Sequence, residues 1–320
     1  MPTVLITGGH SGLGLEASRE IASMGFNLIL AGRDPIRIES IAKELRLSHN
    51  IDVTVLQLDV SSLLSVRQAA ILCNDMLTNG KIDSLQAIIC NAGASFIGKV
   101  SYSVDGYEMT FATNYLGHFL LIQLLVDNIT DNGRIVFVAS GTHDPDTRDG
   151  MLIGKAVEAN ARILANMGKD GGKSVSFGKR YATSKLCMIL CAYELDRRLK
   201  RSGKSIASIA YDPGSIPDTN LMRGLPTPLQ PFIKSRFMRW IAKGLGVTQG
   251  RLDFSGISLA KIATESDYAK MSGKYLQSHD GVLLVKQSSK ASYDEAGAAK
   301  LWEDSRDLAH LHSFEEPKSL

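Results

Sequence analysis

Short aliphatic runs alternate with helically patterned stretches along the first 140 residues, and that rhythm leaves few folds open. Residues 4–6, 27–31, 53–58, 85–90 and 134–139 read as strands of aliphatic and β-branched residues. Residues 15–24, 36–47, 66–77 and 107–128, between them, carry apolar residues at helical spacing. Strands that are apolar on both faces and separated by helices form a parallel sheet with helices on each side. Right-handed crossovers then wind the chain in both directions from the first strand. The pattern resumes with helix 182–200, strand 205–211, helix 255–264 and a last strand at 281–285. The expectation is an α/β chain with one doubly wound domain over 1–311, built on a seven-stranded, mainly parallel sheet. Residues 312–320 read as a loose polar tail. Two segments interrupt the rhythm: 141–180, rich in Gly, Lys and Asp, and 215–250, where prolines mix with basic and bulky apolar residues. No internal repeat and no linker divides the chain.

The turn after the first strand reads Thr7-Gly8-Gly9-His10-Ser11-Gly12-Leu13-Gly14 and opens the first helix. Gly8 suits a tight turn, Gly12 lets backbone approach a pyrophosphate, and Gly14 allows close packing of the helix. Ser11 and Leu13 complete a loop whose N–H groups, with the helix dipole, favour an anion. This makes the domain a Rossmann fold that binds a dinucleotide. The second strand ends Leu30-Ala31-Gly32-Arg33, without the carboxylate that holds an NAD ribose. The Arg33 guanidinium suits a 2′-phosphate instead, so NADP(H) is the expected cofactor.

Further motifs follow in order: Asp59-Val60, Asn91-Ala92-Gly93, Asn114, Ser140, Tyr181-Ala182-Thr183-Ser184-Lys185 and Pro213-Gly214. In this order, each at a strand end or helix start, they resemble the short-chain dehydrogenase/reductase superfamily over roughly residues 3–310. The resemblance implies that Asp59 and Val60 contact adenine and that Asn91, Ala92 and Gly93 line the cofactor cleft. Pro213, Gly214, Ile216 and Thr219 would sit at the nicotinamide end. Family members place a threonine where Asp218 falls, one step before Thr219. Tyr181 and Lys185, four apart on a helix, share a face. A tyrosine is a poor acid–base group at neutral pH, and a nearby ammonium would lower its pKa. Ser140 can hydrogen-bond a substrate oxygen. The resemblance further implies that Lys185 holds the nicotinamide ribose and that Asn114 anchors a water leading to Lys185. Asn114, Ser140, Tyr181 and Lys185 are therefore the candidate catalytic set. His10, His118 and His143 read as surface or packing residues rather than ligands.

Tyr181 follows Ser140 by 41 positions, a longer interval than compact members use. The insert contains an amphipathic stretch at 155–166 and glycines at 168, 171, 172 and 178, and reads as a lid anchored at Ser140 and Tyr181. Such inserts and the stretches 272–275 and 301–305 resemble retinol-dehydrogenase-like and light-dependent protochlorophyllide-reductase-like members, and the sequence Tyr181 to Cys187 is similar to the latter. The leading expectation is an NADPH-dependent carbonyl reductase, or alcohol dehydrogenase in reverse, acting on a bulky apolar substrate. The second is a C=C reductase of a tetrapyrrole-like substrate. A dinucleotide-sensing regulator is the non-enzymatic alternative, against which the intact acid–base set argues.

Charge and cysteines narrow the partners. Lys+Arg 36 against Asp+Glu 33 leaves +3, which gives no case for nucleic acid. Cys73, Cys90, Cys187 and Cys191 lack zinc spacing, so no metal is expected, and they suit a reducing, cytoplasmic setting. No secretory leader and no spanning helix is expected. Residues 231–245 mix aromatic and basic side chains, which would pack as a helix on the sheet, cap an apolar substrate or touch a membrane surface. The long helices 107–128 and 181–200 are faces on which compact relatives form homodimers.

Overall fold

A computed structural model describes residues 1–216 and 247–320, apart from the side chain of Asp170. Thr219 and the 231–245 stretch lie outside the described residues, as does most of the 215–250 loop region. Eight strands form one sheet in the order β3-β2-β1-β4-β5-β6-β7-β8. They are β1 (Thr3–Thr7), β2 (Asn27–Gly32), β3 (Val53–Gln57), β4 (Leu85–Cys90), β5 (Ile129–Val138), β6 (Ala207–Asp212), β7 (Tyr275–His279) and β8 (Val282–Lys286). All neighbours run parallel except β7 and β8. The order reverses between β1 and β4, and a ligand crevice opens at such a switch point.

The eighth strand corrects the expected count of seven. It is β7, whose sequence Tyr-Leu-Gln-Ser-His lacks an aliphatic run. Its polar residues are buried because they have partners. Gln277 donates to Asp212, and Ser278 shares a hydrogen bond with Tyr211. A buried amide costs little once it is bonded, so the strand forms without the usual apolar signature. The strand expected at 281–285 is the antiparallel edge β8, largely exposed.

One sheet face is covered by helices α1 (Gly12–Ser23), α2 (Pro35–His49) and a later helix, α8. The other is covered by α3 (Leu63–Thr78), α4 and α7, together with α9. Helix α4 spans Met109–Asn128 and turns π-helical at Ala112–Leu116. It is long and apolar enough to cross a membrane, yet 83% of its most apolar window is buried in the protein. Helix α7 (Phe177–Arg201) carries Tyr181 and Lys185; α8 is Leu252–Thr264 and α9 is Glu295–Leu308.

Helix α9 lies over the face expected to form a dimer. Trp302 meets Phe119 edge-on with ring centroids 5.0 Å apart, and the Arg198 guanidinium stacks on Trp302 at 4.7 Å. Tyr115 and Ser305 share a hydrogen bond of 2.9 Å, and the Tyr107 hydroxyl donates to Leu308 O at 2.8 Å. The buried faces of α4 and α7 are thus filled from within the chain. The 312–320 tail is also held, contrary to the expectation of a loose end. Arg67 pairs with Glu315, and the Lys318 and Ser319 N–H groups donate to Asp127.

The insert is folded rather than loose. It contains α5 (Arg148–Ile153) and α6 (Ala161–Ala165). The helix expected over 155–166 shortens to α6 for a local reason. The Asn160 side chain accepts from Ile163 N–H and starts the helix there, while Val157 N–H donates to Thr183 Oγ1 instead of propagating a turn. Ala161, Leu164, Ala165 and Met167 join the main core.

Candidate active site

The glycine loop adopts a backbone that its sequence demands. Gly8 and Gly12 have φ of +68° and +54°, where a side chain is strained. A Cβ on Gly14 would lie 2.4 Å from Gly8 O, so the third glycine lets α1 sit down on its own loop. Ser11 is the α1 N-cap, extended at φ −158°, and its side chain makes no capping bond. The helix therefore begins with N–H groups that no side chain caps, an anion site by geometry. Leu13 points into the core.

Thr7 ties this loop to the end of β4. Its Oγ1 accepts from Asn91 N–H at 3.0 Å and Ala92 N–H at 2.9 Å, while Asn91 Nδ2 donates to Thr7 O at 2.8 Å. At the end of β2, Arg33 is exposed and makes no ion pair among the described residues. Asp34 caps α2 by accepting from Arg37 N–H, which sets Arg37 in the first turn. Sequence reasoning missed Arg37. After β3, Asp59 Oδ1 accepts from Ser61 N–H and Oγ–H, and Val60 is buried. A Cβ on Gly117 would lie 1.8 Å from Val60 O, so α4 passes directly over this loop.

The π turn in α4 holds Asn114, which is fully buried. Gly117 N–H donates to Ala112 O, the wider spacing that marks such a turn. Asn114 Oδ1 accepts from Ala94 N–H at 2.8 Å, and its Nδ2 donates to Ala94 O and Ser184 Oγ, both at 3.0 Å. Gly93 lies against the same groups. A Cβ there would be 3.3 Å from Asn114 Oδ1 and 3.5 Å from Lys185 Nζ.

Ser140, Tyr181 and Lys185 meet where β5 ends. Ser140 Oγ accepts from Thr142 N–H at 3.3 Å and Thr142 Oγ1 at 3.1 Å, and the Tyr181 hydroxyl faces Ser140. Lys185 Nζ donates to Val138 O at 2.8 Å and stands 5.7 Å from the Tyr181 ring centre. Burial pulls the Lys185 ammonium down to about 8, with the Asp212 carboxylate acting the other way. Burial pushes the Tyr181 phenol up, and the neighbouring Ser140 hydroxyl only partly offsets it. The expected lowering of Tyr181 by Lys185 is thus reversed in the protein by itself, because desolvation dominates. Burial thus favours the protonated phenol at Tyr181.

Of the histidines, His143 departs from its surface reading, while His118 packs in the core. His143 is buried, with Nδ1 donating to Ser140 O at 2.7 Å and Nε2 accepting from Ser289 N–H at 3.0 Å. His118 is fully buried between Thr7 Oγ1, 2.9 Å from Nε2, and Asn114 O, 3.3 Å from Nδ1. Burial lowers it to about 4. The His10 ring packs against Gly32.

Two further groups escaped sequence reasoning. Asp212, directly before Pro213, ends β6 with its side chain 1% exposed. Arg180, directly before Tyr181, is paired with Glu108, Nε to Oε1 at 3.1 Å, with both side chains buried. Their only sequence signal was a charge placed beside a motif. Gly214 has φ +75°, Ser255 Oγ donates to Pro213 O, and Ile216 packs on the core.

Comparison with known proteins agrees with this architecture. The short chain dehydrogenase family profile matches residues 2–146. Protochlorophyllide reductase A of Oryza sativa subsp. japonica is 32% identical over 324 residues, covering 96% of this chain and 80% of that protein. The crystal structure of an uncharacterised protein from Mycobacterium paratuberculosis is 26% identical, with a TM-score of 0.66 over 97% of this chain and 94% of that one. The structure of a blue fluorescent protein from a metagenomic library, solved in complex with NADPH, shares the fold at 19% identity, with a TM-score of 0.62 over 88% of this chain and 97% of that one. A crevice built at the switch point, a glycine loop on a helix N-terminus and a Ser–Tyr–Lys cluster thus coincide with relatedness over nearly the whole length: the chain belongs to the short-chain dehydrogenase/reductase family of oxidoreductases.

Proposed function

We propose that the protein is an NADP(H)-dependent reductase that converts the carbonyl of a bulky, apolar substrate to an alcohol, with Tyr181 as the acid–base group. The observation that carries this reading is the meeting of the Ser140 and Tyr181 hydroxyls with the Lys185 ammonium at the end of β5. Two hydroxyls so placed can both bond one substrate oxygen. The cofactor fits the residues present. The uncapped α1 N-terminus and the left-handed Gly8 and Gly12 accept a pyrophosphate, and the exposed Arg33 at the end of β2 suits a 2′-phosphate. The nicotinamide supplies the hydride when bound. Tyr181, held as a phenol by burial, donates its proton to the oxygen that gains charge, while Ser140 orients that oxygen. Lys185, fixed by Val138 O, keeps a positive charge beside the phenol, and Asn114 holds the loop after β4 against Lys185. The insert, anchored at both ends to this centre, closes over the substrate.

A second reading has a specific observation behind it: the 32% identity with a protochlorophyllide reductase over almost the whole chain. It is C=C reduction of a tetrapyrrole-like substrate, with Tyr181 protonating carbon. Following NADPH oxidation with a panel of bulky ketones and aldehydes, and with protochlorophyllide in light and in darkness, separates the two. Turnover of carbonyls in darkness supports the first. Activity confined to protochlorophyllide overturns it.

A further inference from the structure

Asp212 stands in an unusual place for a buried acid. Tyr211 pairs with Val138 across β6 and β5, so Asp212 is carried one step further, level with Ala139 and Ser140. Val138 is the residue whose carbonyl accepts the Lys185 ammonium. Gly141, next after Ser140, comes so close that a Cβ there would lie 3.1 Å from Asp212 Oδ2. The side chain is held only as an acceptor. The Tyr275 hydroxyl at 2.9 Å and Gln277 Nε2 at 2.7 Å donate to Oδ2, and Gly214 N–H donates to Oδ1 at 2.9 Å. Three donors around a side chain 1% exposed are the surroundings of an ionised carboxylate.

A charge buried in this way needs an opposite charge nearby. Tyr275 faces it from β7, Asp149 from α5, His143 from the turn after β5, and Tyr181 and Lys185 from α7. Tyr181 and Tyr275 are phenols kept protonated by burial. His143 is neutral, because one ring nitrogen donates and the other accepts. Asp149 accepts from the Thr248 hydroxyl at 2.6 Å, and burial raises its carboxyl. Among the described residues, Lys185 is the one cation of this set.

We propose that Asp212 is a positioning residue of the active site, a buried counter-charge that keeps Lys185 as the ammonium. The inference rests on reading Tyr181 and Lys185 as the acid–base pair, and it adds how that pair is held in its working protonation state. Burial draws Lys185 down to about 8, and Asp212 is the charge that resists it. An opposite charge at close range typically moves such a group by about 1–3 pH units. Asp212 divides its lone pairs among three donors, so the low end applies.

The test reads Lys185 directly. Protein labelled with ¹³C and ¹⁵N lysine is titrated by NMR, with the Lys185 signal assigned by its loss in Lys185→Arg. In Asp212→Asn and Asp212→Ser the midpoint should fall by about one pH unit. A midpoint unmoved in the folded variants overturns the proposal. So does failure of both to fold, since the carboxylate is then structural. In parallel, kcat/KM for 9,10-phenanthrenequinone with NADPH should lose its high-pH limb about one unit earlier in Asp212→Asn, a shift that a packing defect would not produce. Tyr181→Phe, run beside it, separates the two levels. Full turnover in that variant ends the acid–base reading, whereas the Lys185 titration judges Asp212 alone.

Discussion

Replacing Arg180 by methionine should destabilise the fold by about 3–5 kcal/mol, as breaking a buried ion pair does. The structure says why the loss is large and what limits it. Arg180 and Glu108 join the starts of the two helices that carry Tyr181 and Asn114. Arg180 also donates to Val175 O at the end of the insert, and to Phe96 O and Gly98 O in the loop after β4. Methionine fills much of the volume but leaves three carbonyls without their donor and Glu108 without its countercharge. Glu108 keeps two partners, Phe111 N–H and the Thr110 hydroxyl, which holds the loss toward the lower figure. With an unfolding entropy of about 2 cal/mol/K per residue, that energy lowers Tm by about 5–8 °C for a chain of 320 residues. Differential scanning fluorimetry and urea unfolding measure it. Glu108→Leu together with Arg180→Met should recover part of the loss, because no charge is then left unanswered. A Tm within 1 °C of wild type in Arg180→Met would refute the reasoning, as would strictly additive losses in the double variant.

Tyr181→Phe should fold and bind NADPH yet lose about 10²–10⁴-fold in kcat, the usual worth of a general acid; unchanged turnover would remove Tyr181 from the chemistry. Arg33→Ala should weaken NADPH by about 1.5–3 kcal/mol and leave NADH nearly unaffected, and equal wild-type affinity for both cofactors would contradict this. His118, buried and lowered to about 4, binds a proton more readily when unfolded. Stability should therefore be complete above the unfolded value near 6.5 and decline as pH falls toward 4, by up to about 3 kcal/mol. Urea midpoints at pH 7 and pH 5 measure this, and the difference should shrink in His118→Gln. Limited proteolysis should cut the exposed stretch 171–174 first, with protection when NADPH and substrate are both present, if the insert closes as proposed.

The aliphatic strands, the glycine loop and the order of the later motifs were legible because each is local. A parallel strand buried on both faces must be apolar, and a left-handed turn must be glycine, whatever surrounds them. Strand β7 was not legible, because its burial is licensed by Asp212 and Tyr211 on the neighbouring strand. The same holds for α6, cut short by Asn160, and for His118, whose two partners lie on different elements. The candidate dimer face was equally beyond reach, because α9 returns from far along the chain to cover it with Trp302. From sequence alone come the doubly wound fold, the dinucleotide loop and the Asn114, Ser140, Tyr181 and Lys185 set, each carried by short-range pattern. Tertiary structure alone decided the charge states around that set. Desolvation and the Asp212 carboxylate act through space, and residues 27 positions apart in the chain, such as Lys185 and Asp212, acquire their chemistry only once the sheet brings them together.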